Sequence, residues 1–149
     1  MNQVSSELEL IGVWKLVKYS SILDGSSEVV YPYGEDAKGY LIYTPEGFVS
    51  VNIMRGHRTL HNTSMEVKIE VSENFGGYVG RYTIFGNTVT HYPEISGFLN
   101  YIQKPQTRQF KISGSLLTLE YHHAFEEHSH IQTADTSSQS QLIWQRVFK

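Results

Sequence analysis

Turn-forming residues recur at short intervals along this chain, and the segments between them are rich in β-branched and aromatic residues. Short strands spaced in this way are typical of an antiparallel sandwich or barrel. The pattern predicts strands at 11–19, 28–32, 37–44, 47–54, 77–85, 88–95, 106–113, 115–123 and 140–148. It also predicts a short helix near 63–75, which opens with the capping-box sequence Thr63-Ser64-Met65-Glu66. We therefore expect an all-β fold.

Length and charge narrow the class of protein. The 149 residues match one domain, so we expect a single domain over 1–149. The 12 basic and 15 acidic residues give a net charge of −3, without the clustered basic face that nucleic-acid binding requires. The chain contains no cysteine, which excludes disulfides, a thiol nucleophile and cysteine-ligated zinc.

Targeting signals are also missing from the sequence. The first residues lack the positive start and apolar run of a signal peptide. No segment approaches the roughly 18 apolar residues of a membrane-spanning helix. We expect a soluble, cytoplasmic protein with neither nucleic acid nor membrane as a partner.

Two predicted hairpins assign side chains to the interior. A two-residue turn at Gly86-Asn87 pairs Tyr82 with His91, on the same face as Ile84 and Val89. This apolar pair marks that face as the interior one. Both hairpin strands therefore carry a polar group on the inside, further from the turn.

A second turn, at Gly114-Ser115, places Arg108 and Tyr121 on one face with two apolar pairs. Those pairs are Ile112 with Leu117 and Phe110 with Leu119. The apolar pairs must face inward, and Arg108, which lies on the same face of the hairpin, must face inward as well. Burying an unpaired arginine costs several kcal/mol, so Arg108 needs a partner, a water-filled cavity or an anionic ligand.

The hairpin around Thr44-Pro45-Glu46-Gly47 leaves its inner face open. Taken as a four-residue loop, it gives two candidate faces. One carries Tyr40, Ile42, Val49 and Val51, and the other carries Leu41, Tyr43, Phe48, Ser50 and Asn52. Either set is apolar enough to be the core.

Several segments carry a family resemblance. Gly12-Val13-Trp14-Lys15-Leu16 resembles the Gly-x-Trp opening strand of lipocalins. The chain is also similar to the lipocalin-like domain family of small bacterial and fungal proteins, at 31–47, 80–82, 87–91, 114–119 and 143–147. The resemblance implies a single antiparallel barrel of about eight to nine strands, wide enough for one small ligand. It further implies that Trp14 packs under Arg146 in a structural cation–π contact.

Within such a barrel, Tyr82 and His91 are the candidates for acid–base chemistry, since a neutral imidazole beside a phenol can move a proton near pH 7. The same pair equally fits a hydrogen-bonded polar group of the interior. Arg108 with Tyr121 could bind a carboxylate or stabilise an enolate, or form an internal ion pair or reach water at the rim. The candidate ligand-binding residues are Arg108, Tyr121, Tyr43, Tyr40, Phe110 and Leu119.

Two further segments carry weaker signals. The run from His122 to His130 is rich in His and Glu, which suit zinc, copper or nickel, but its spacing matches no closed metal motif, so we predict no metal site. Tyr31-Pro32-Tyr33 could offer aromatic contacts at the barrel mouth, or only turn the chain. The sequence has no nucleotide-binding loop or dinucleotide fingerprint, and we predict no cofactor.

The sequence thus favours a barrel that binds a small hydrophobic or aromatic molecule. The alternative, drawn from the cyclases and isomerases among related small barrels, is a cofactor-free enzyme of that kind. It would act on a hydrophobic biosynthetic intermediate through His91 and Tyr82. A solid barrel that serves only as an interaction module has the least support. A homodimer is a further expectation, because an open edge strand could pair two copies.

Overall fold

The computed structural model describes residues 8–60, 63–123 and 137–148, without the side chains of Leu99 and His123. The strands are β1 (Gly12–Leu23), β2 (Val29–Val30), β3 (Lys38–Tyr43), β4 (Phe48–Met54), β5 (Phe75–Phe85), β6 (Thr88–Ser96), β7 (Gln106–Ser113), β8 (Leu116–His123) and β9 (Ser138–Phe148). Helix α1 spans Ser64–Asn74, and a 3-10 helix spans Leu99–Tyr101.

The strands form one antiparallel sheet in the order β2-β1-β3-β4-β5-β6-β7-β8-β9. Strand β1 also pairs with β9, which closes eight strands into a barrel and leaves β2 as an extra strand beside β1. The predicted all-β fold is confirmed. No helix in the described ranges is long and apolar enough to cross a membrane.

Helix α1 begins where the capping box predicts. The Thr63 hydroxyl accepts the backbone N–H of Glu66 at 3.1 Å, which satisfies one of the free donors at the helix start. The buried residue of the helix is a carboxylate: Glu70 accepts two hydrogen bonds from Arg58, at 2.5 and 2.6 Å. This bidentate pair holds α1 to the segment that follows β4.

The two predicted two-residue hairpins are confirmed in register. Tyr82 pairs with His91 across β5 and β6, and Phe110 pairs with Leu119 across β7 and β8. Gly86 and Gly114 each have a φ of 61°, the left-handed conformation that such tight hairpin turns require.

The third hairpin differs from the expected grouping of side chains. The backbone N–H of Thr44 donates to the carbonyl of Phe48 at 2.9 Å, so these two residues close the hairpin. The loop between them has three residues and ends at Gly47, which has a φ of 97°. Tyr43 therefore pairs with Val49. Both faces proposed from a four-residue loop were wrong, because one residue fewer in the loop exchanges the faces of one strand. The inner face combines Leu41, Tyr43, Val49 and Val51.

One end of the barrel, here called the closed end, is sealed as the family resemblance implies. The Arg146 guanidinium lies 4.1 Å from the Trp14 ring centroid, and Trp14 is 0% exposed. Arg146 also donates to the Ile11 carbonyl at 3.0 Å and to the Glu9 carbonyl. The Trp14 Nε1 donates to the Leu10 carbonyl at 3.0 Å. These contacts hold the segment that precedes β1 across the barrel.

Candidate functional site

The barrel interior contains a cavity of about 90 Å³ that is partly open to solvent. It lies toward the end opposite Trp14 and Arg146, here called the open end. There the last residues of β4 and β8 meet the first residues of β5, β7 and β9. A space of this size holds several water molecules or one small ring. Its walls are mostly aromatic and aliphatic.

His91 lies in the cavity wall between two tyrosine hydroxyls. Its Nε2 is 2.6 Å from the Tyr43 hydroxyl, and its Nδ1 is 2.6 Å from the Tyr78 hydroxyl. The imidazole is 2% exposed. This burial, together with the positive charge of Arg108, lowers the pKa of His91 to about 3. The imidazole is therefore neutral at pH 7, with one nitrogen as donor and the other as acceptor.

Burial decides which nitrogen carries the proton. Tyr43 is 1% exposed, and its hydroxyl bonds to His91 alone among the described residues. If Tyr43 accepted from Nε2, its own hydroxyl hydrogen would be buried without a partner, at a cost of about 1–3 kcal/mol. Tyr43 therefore donates to Nε2, and His91 donates from Nδ1 to Tyr78. The Tyr78 hydrogen is then free to donate into the cavity.

Arg108 lies in the same wall, with its guanidinium 3.7 Å from the centroid of the Tyr121 ring. It donates to the carbonyl of Thr107 at 3.2 Å. No carboxylate in the described part of the chain lies within ion-pair distance of it. Of the roles left open for Arg108 by the sequence, an internal ion pair is therefore not found there. The Tyr121 hydroxyl lies 2.6 Å from the hydroxyl of Tyr19.

Arg108 keeps its charge in this setting. Burial lowers the pKa of Arg108, but the phenol groups that surround the guanidinium raise it by more, so that it lies above its ordinary value. Burial also raises the pKa of Tyr78 to about 12, although the charge of Arg108 opposes this shift. The phenol of Tyr78 is therefore protonated at neutral pH and can serve as a donor.

Trp144 also carries a hydrogen-bond donor, its indole nitrogen. This residue is 0% exposed and lines the cavity from β9. Its Nε1 is buried and has no hydrogen-bond partner among the described residues. A buried polar group without a partner is uncommon in folded proteins, and it calls for an explanation.

Four of the predicted site residues line the cavity: His91, Arg108, Tyr121 and Leu119. Tyr43 lies behind His91 and orients it through their hydrogen bond. Phe110 is half-buried and packs against the core.

The other two predicted site residues lie elsewhere. The Tyr82 hydroxyl donates to the carbonyl of Thr44 at 2.8 Å, while both His91 nitrogens bond to other tyrosines. Tyr40 is 49% exposed on the outer face of the barrel, as the corrected register of its hairpin requires.

Tyr78 and Trp144 were not among the predicted site residues. Strand alternation carries the signal for both of them: Tyr78 has the same parity as Tyr82 in β5, and Trp144 has the same parity as Arg146 in β9. Tyr33, from the tyrosine-rich segment expected at the mouth, does line the cavity.

The histidine-rich run is described only at its start. The His122 Nε2 lies 2.7 Å from the Asp24 carboxylate, at the surface. Residues 124–136, which hold most of that run, lie outside the described residues. Within the described ranges, no group of three or more metal-ligating side chains comes together.

The family model of the lipocalin-like domain matches residues 11–147 of the chain. This chain belongs to the lipocalin-like domain family. Among solved structures, the barrel is similar to a lipocalin-like protein from Bacteroides uniformis ATCC 8492, with a TM-score of 0.49 and 16% identity over 93% of this chain and 99% of that one. An uncharacterized protein from Bacteroides eggerthii DSM 20697 has a TM-score of 0.47 and 13% identity over 92% and 98% of the two chains. No curated protein matches this lipocalin-like chain.

Proposed function

We propose that this lipocalin-like barrel binds one small hydrophobic or aromatic molecule in its cavity. The observation that carries the proposal is the cavity itself, which is walled by aromatic and aliphatic side chains and contains a few polar groups. Pockets for small molecules have this composition, in which apolar walls supply affinity and a few polar groups orient the ligand.

The size of the cavity limits the ligand. A volume of about 90 Å³ suits a single ring with small substituents. A longer molecule would have to extend through the open end, past Tyr33 and the 3-10 helix Leu99–Tyr101. We therefore expect compact ligands to bind more tightly than long-chain ones.

Catalysis by His91 has less support than binding. Both of its nitrogens bond to tyrosine hydroxyls, and burial lowers the pKa of His91 to about 3, which makes the imidazole a weak base. A proton would have to pass through Tyr78, and Tyr82 would not take part. The cofactor-free isomerase or cyclase thus stays a prediction, as do the cytoplasmic location and the homodimer.

The two tryptophans provide the test. The chain has two, so the indole region of a ¹H–¹⁵N NMR spectrum should contain two cross-peaks. Trp144 lines the cavity, whereas Trp14 donates to Leu10 at the closed end. Titration with single-ring aromatic compounds should shift the Trp144 signal and leave the Trp14 signal in place.

Native and denatured masses of the freshly purified protein complete the test. A mass excess that is lost on denaturation would identify a ligand carried through purification. If no compound moves the Trp144 signal and no excess mass is found, the proposed binding function is wrong.

A further inference from the structure

Two of the polar groups in the cavity wall can only donate hydrogen bonds. The Arg108 guanidinium has no acceptor lone pair, and neither has the indole nitrogen of Trp144. Arg108 has no carboxylate partner among the described residues, and the Trp144 Nε1 has no partner there at all. The Trp144 nitrogen is enclosed within the wall, whereas the half-buried Arg108 guanidinium is left to be satisfied by whatever occupies the cavity.

Tyr78 adds a third donor, because its hydrogen-bond direction is fixed from behind. The buried Tyr43 hydroxyl must donate to Nε2 of His91, so Nδ1 carries the proton and donates to the Tyr78 oxygen. The Tyr78 hydrogen cannot also point at His91 and is directed to the cavity. Arg108 and Tyr78 line the same cavity.

A ligand that satisfies this wall must supply acceptors and negative charge. The half-buried guanidinium of Arg108 has no carboxylate partner among the described residues, so an anion offsets the cost of its desolvation, whereas a neutral ligand does not. The remaining wall is apolar, and the volume of about 90 Å³ allows one ring. A fully hydrophilic anion would leave that apolar surface without contacts.

We infer that the cavity ligand is a small aromatic carboxylate, whose carboxylate accepts hydrogen bonds from Arg108 and Tyr78 and whose ring packs in the apolar part near Trp144. This inference rests on the proposed function and narrows it to one chemical class. It also gives His91 a positioning role, in which it sets the direction of the Tyr78 hydroxyl without touching the ligand.

The test compares benzoate with benzamide, which has the same shape but no charge. Both are titrated into the wild-type protein at pH 7, and the Trp144 indole signal is followed with Trp14 as the internal reference. We expect benzoate to bind at least about tenfold more tightly, as for a hydrogen bond to a charged group. Equal or tighter binding of benzamide would overturn the inferred carboxylate and leave the proposed binding function standing. If neither compound moves the signal, the inferred aromatic carboxylate is overturned, and the native and denatured masses decide the proposed binding function.

A matched pair of variants tests whether Arg108 is the source of the preference for benzoate over benzamide. Arg108→Met should lower benzoate affinity about tenfold or more and remove the preference over benzamide. Arg81→Met is the control, because Arg81 also stacks on an aromatic ring, at 4.9 Å from the Phe48 centroid, but on the outer face. An unchanged benzoate preference in Arg108→Met would overturn the assignment of Arg108.

The direction of the Tyr78 hydroxyl has its own test. Long-range ¹H–¹⁵N spectra of the imidazole should show His91 as the neutral Nδ1–H tautomer at pH 7. Tyr43→Phe should remove the hydrogen bond that fixes His91 as this tautomer, so that both tautomers are populated. Although Tyr43 lies behind His91, this change should weaken benzoate binding several-fold, about as much as Tyr78→Phe. Tyr40→Phe, on the outer face, is the control. The Nε2–H tautomer in the wild type would overturn the role given to Tyr78.

Discussion

The Tyr43 hydroxyl and the His91 Nε2 are 2.6 Å apart and connect β3 to β6, two strands that are not neighbours in the sheet. The bond therefore crosses the barrel interior. It belongs to a chain that runs from the deeply buried Tyr43 through His91 to Tyr78 at the cavity. The same three residues thus contribute to stability and set the polarity of the site.

Removing the first member of this chain should destabilise the fold. Tyr43→Phe leaves the buried Nε2 of His91 without its donor, which should lower the free energy of unfolding by about 1–3 kcal/mol. Urea denaturation followed by tryptophan fluorescence measures the change. Tyr40→Phe removes a hydroxyl from the neighbouring outer face and should change stability by less than about 0.5 kcal/mol. Equal losses in the two variants would contradict a structural role for the internal bond.

Stability should fall as the pH drops below about 6.5. Burial and Arg108 lower the pKa of His91 to about 3 in the folded protein, while the unfolded imidazole titrates near its ordinary value. Between these two values the unfolded state binds one more proton than the folded state, so unfolding becomes more favourable as protons are added. The maximal slope is about 1.4 kcal/mol per pH unit.

A variant that cannot titrate isolates this effect. His91→Gln can still donate and accept, so the part of the slope due to His91 should disappear while the protein remains folded. His57→Gln, at an exposed position, controls for the loss of one imidazole. Urea midpoints measured from pH 4 to pH 8 supply the comparison, and identical slopes for wild type and His91→Gln would rule out a buried neutral His91.

The closed end should matter for stability and not for binding. Arg146→Met removes the cation–π contact with Trp14 and leaves two backbone carbonyls without their donor. We expect a loss of about 1–3 kcal/mol in the free energy of unfolding. Because the cavity lies toward the other end, the response of the Trp144 indole signal to benzoate and the affinity for benzoate should be unchanged. A weakened affinity in a fully folded Arg146→Met protein would contradict this separation of the two ends.

Strand positions and two hairpin registers could be predicted from the sequence, because tight turns at Gly86-Asn87 and Gly114-Ser115 fix the alternation of side chains. Arg108 was placed inside by this argument alone. The hairpin at Thr44–Gly47 shows the limit of the argument. Its loop length depends on the left-handed φ of Gly47, and a one-residue error misplaced Tyr40.

Pairs within one hairpin were easier to predict than contacts across the barrel. Alternation brought Tyr82 and His91 together as cross-strand neighbours. Their hydroxyl and ring nitrogens nevertheless bond to other groups: the imidazole to Tyr43 and Tyr78, and the Tyr82 hydroxyl to the Thr44 carbonyl. The Tyr43 contact passes over two intervening strands and depends on the curvature of the closed sheet, which no local pattern encodes. The unpartnered Trp144 nitrogen also becomes visible only once the interior is assembled.

A single glycine should control access at the open end. A Cβ on Gly76 would lie 2.4 Å from the Phe98 ring and 2.6 Å from the Tyr33 hydroxyl, which is too close for either side chain to keep its place. Both side chains line the cavity, so Gly76→Ala should displace them and alter the opening. We expect faster exchange of benzoate, seen as a larger dissociation rate in NMR line-shape analysis, with a Trp144 signal that still responds. Gly97→Ala is the matched control, because its added Cβ would meet only the Gly77 carbonyl at 3.8 Å, an ordinary contact. Since Gly97 lies next to Phe98 in the chain, identical exchange rates in the two variants would show that the packing of Phe98 and Tyr33 against Gly76 does not limit entry to the cavity.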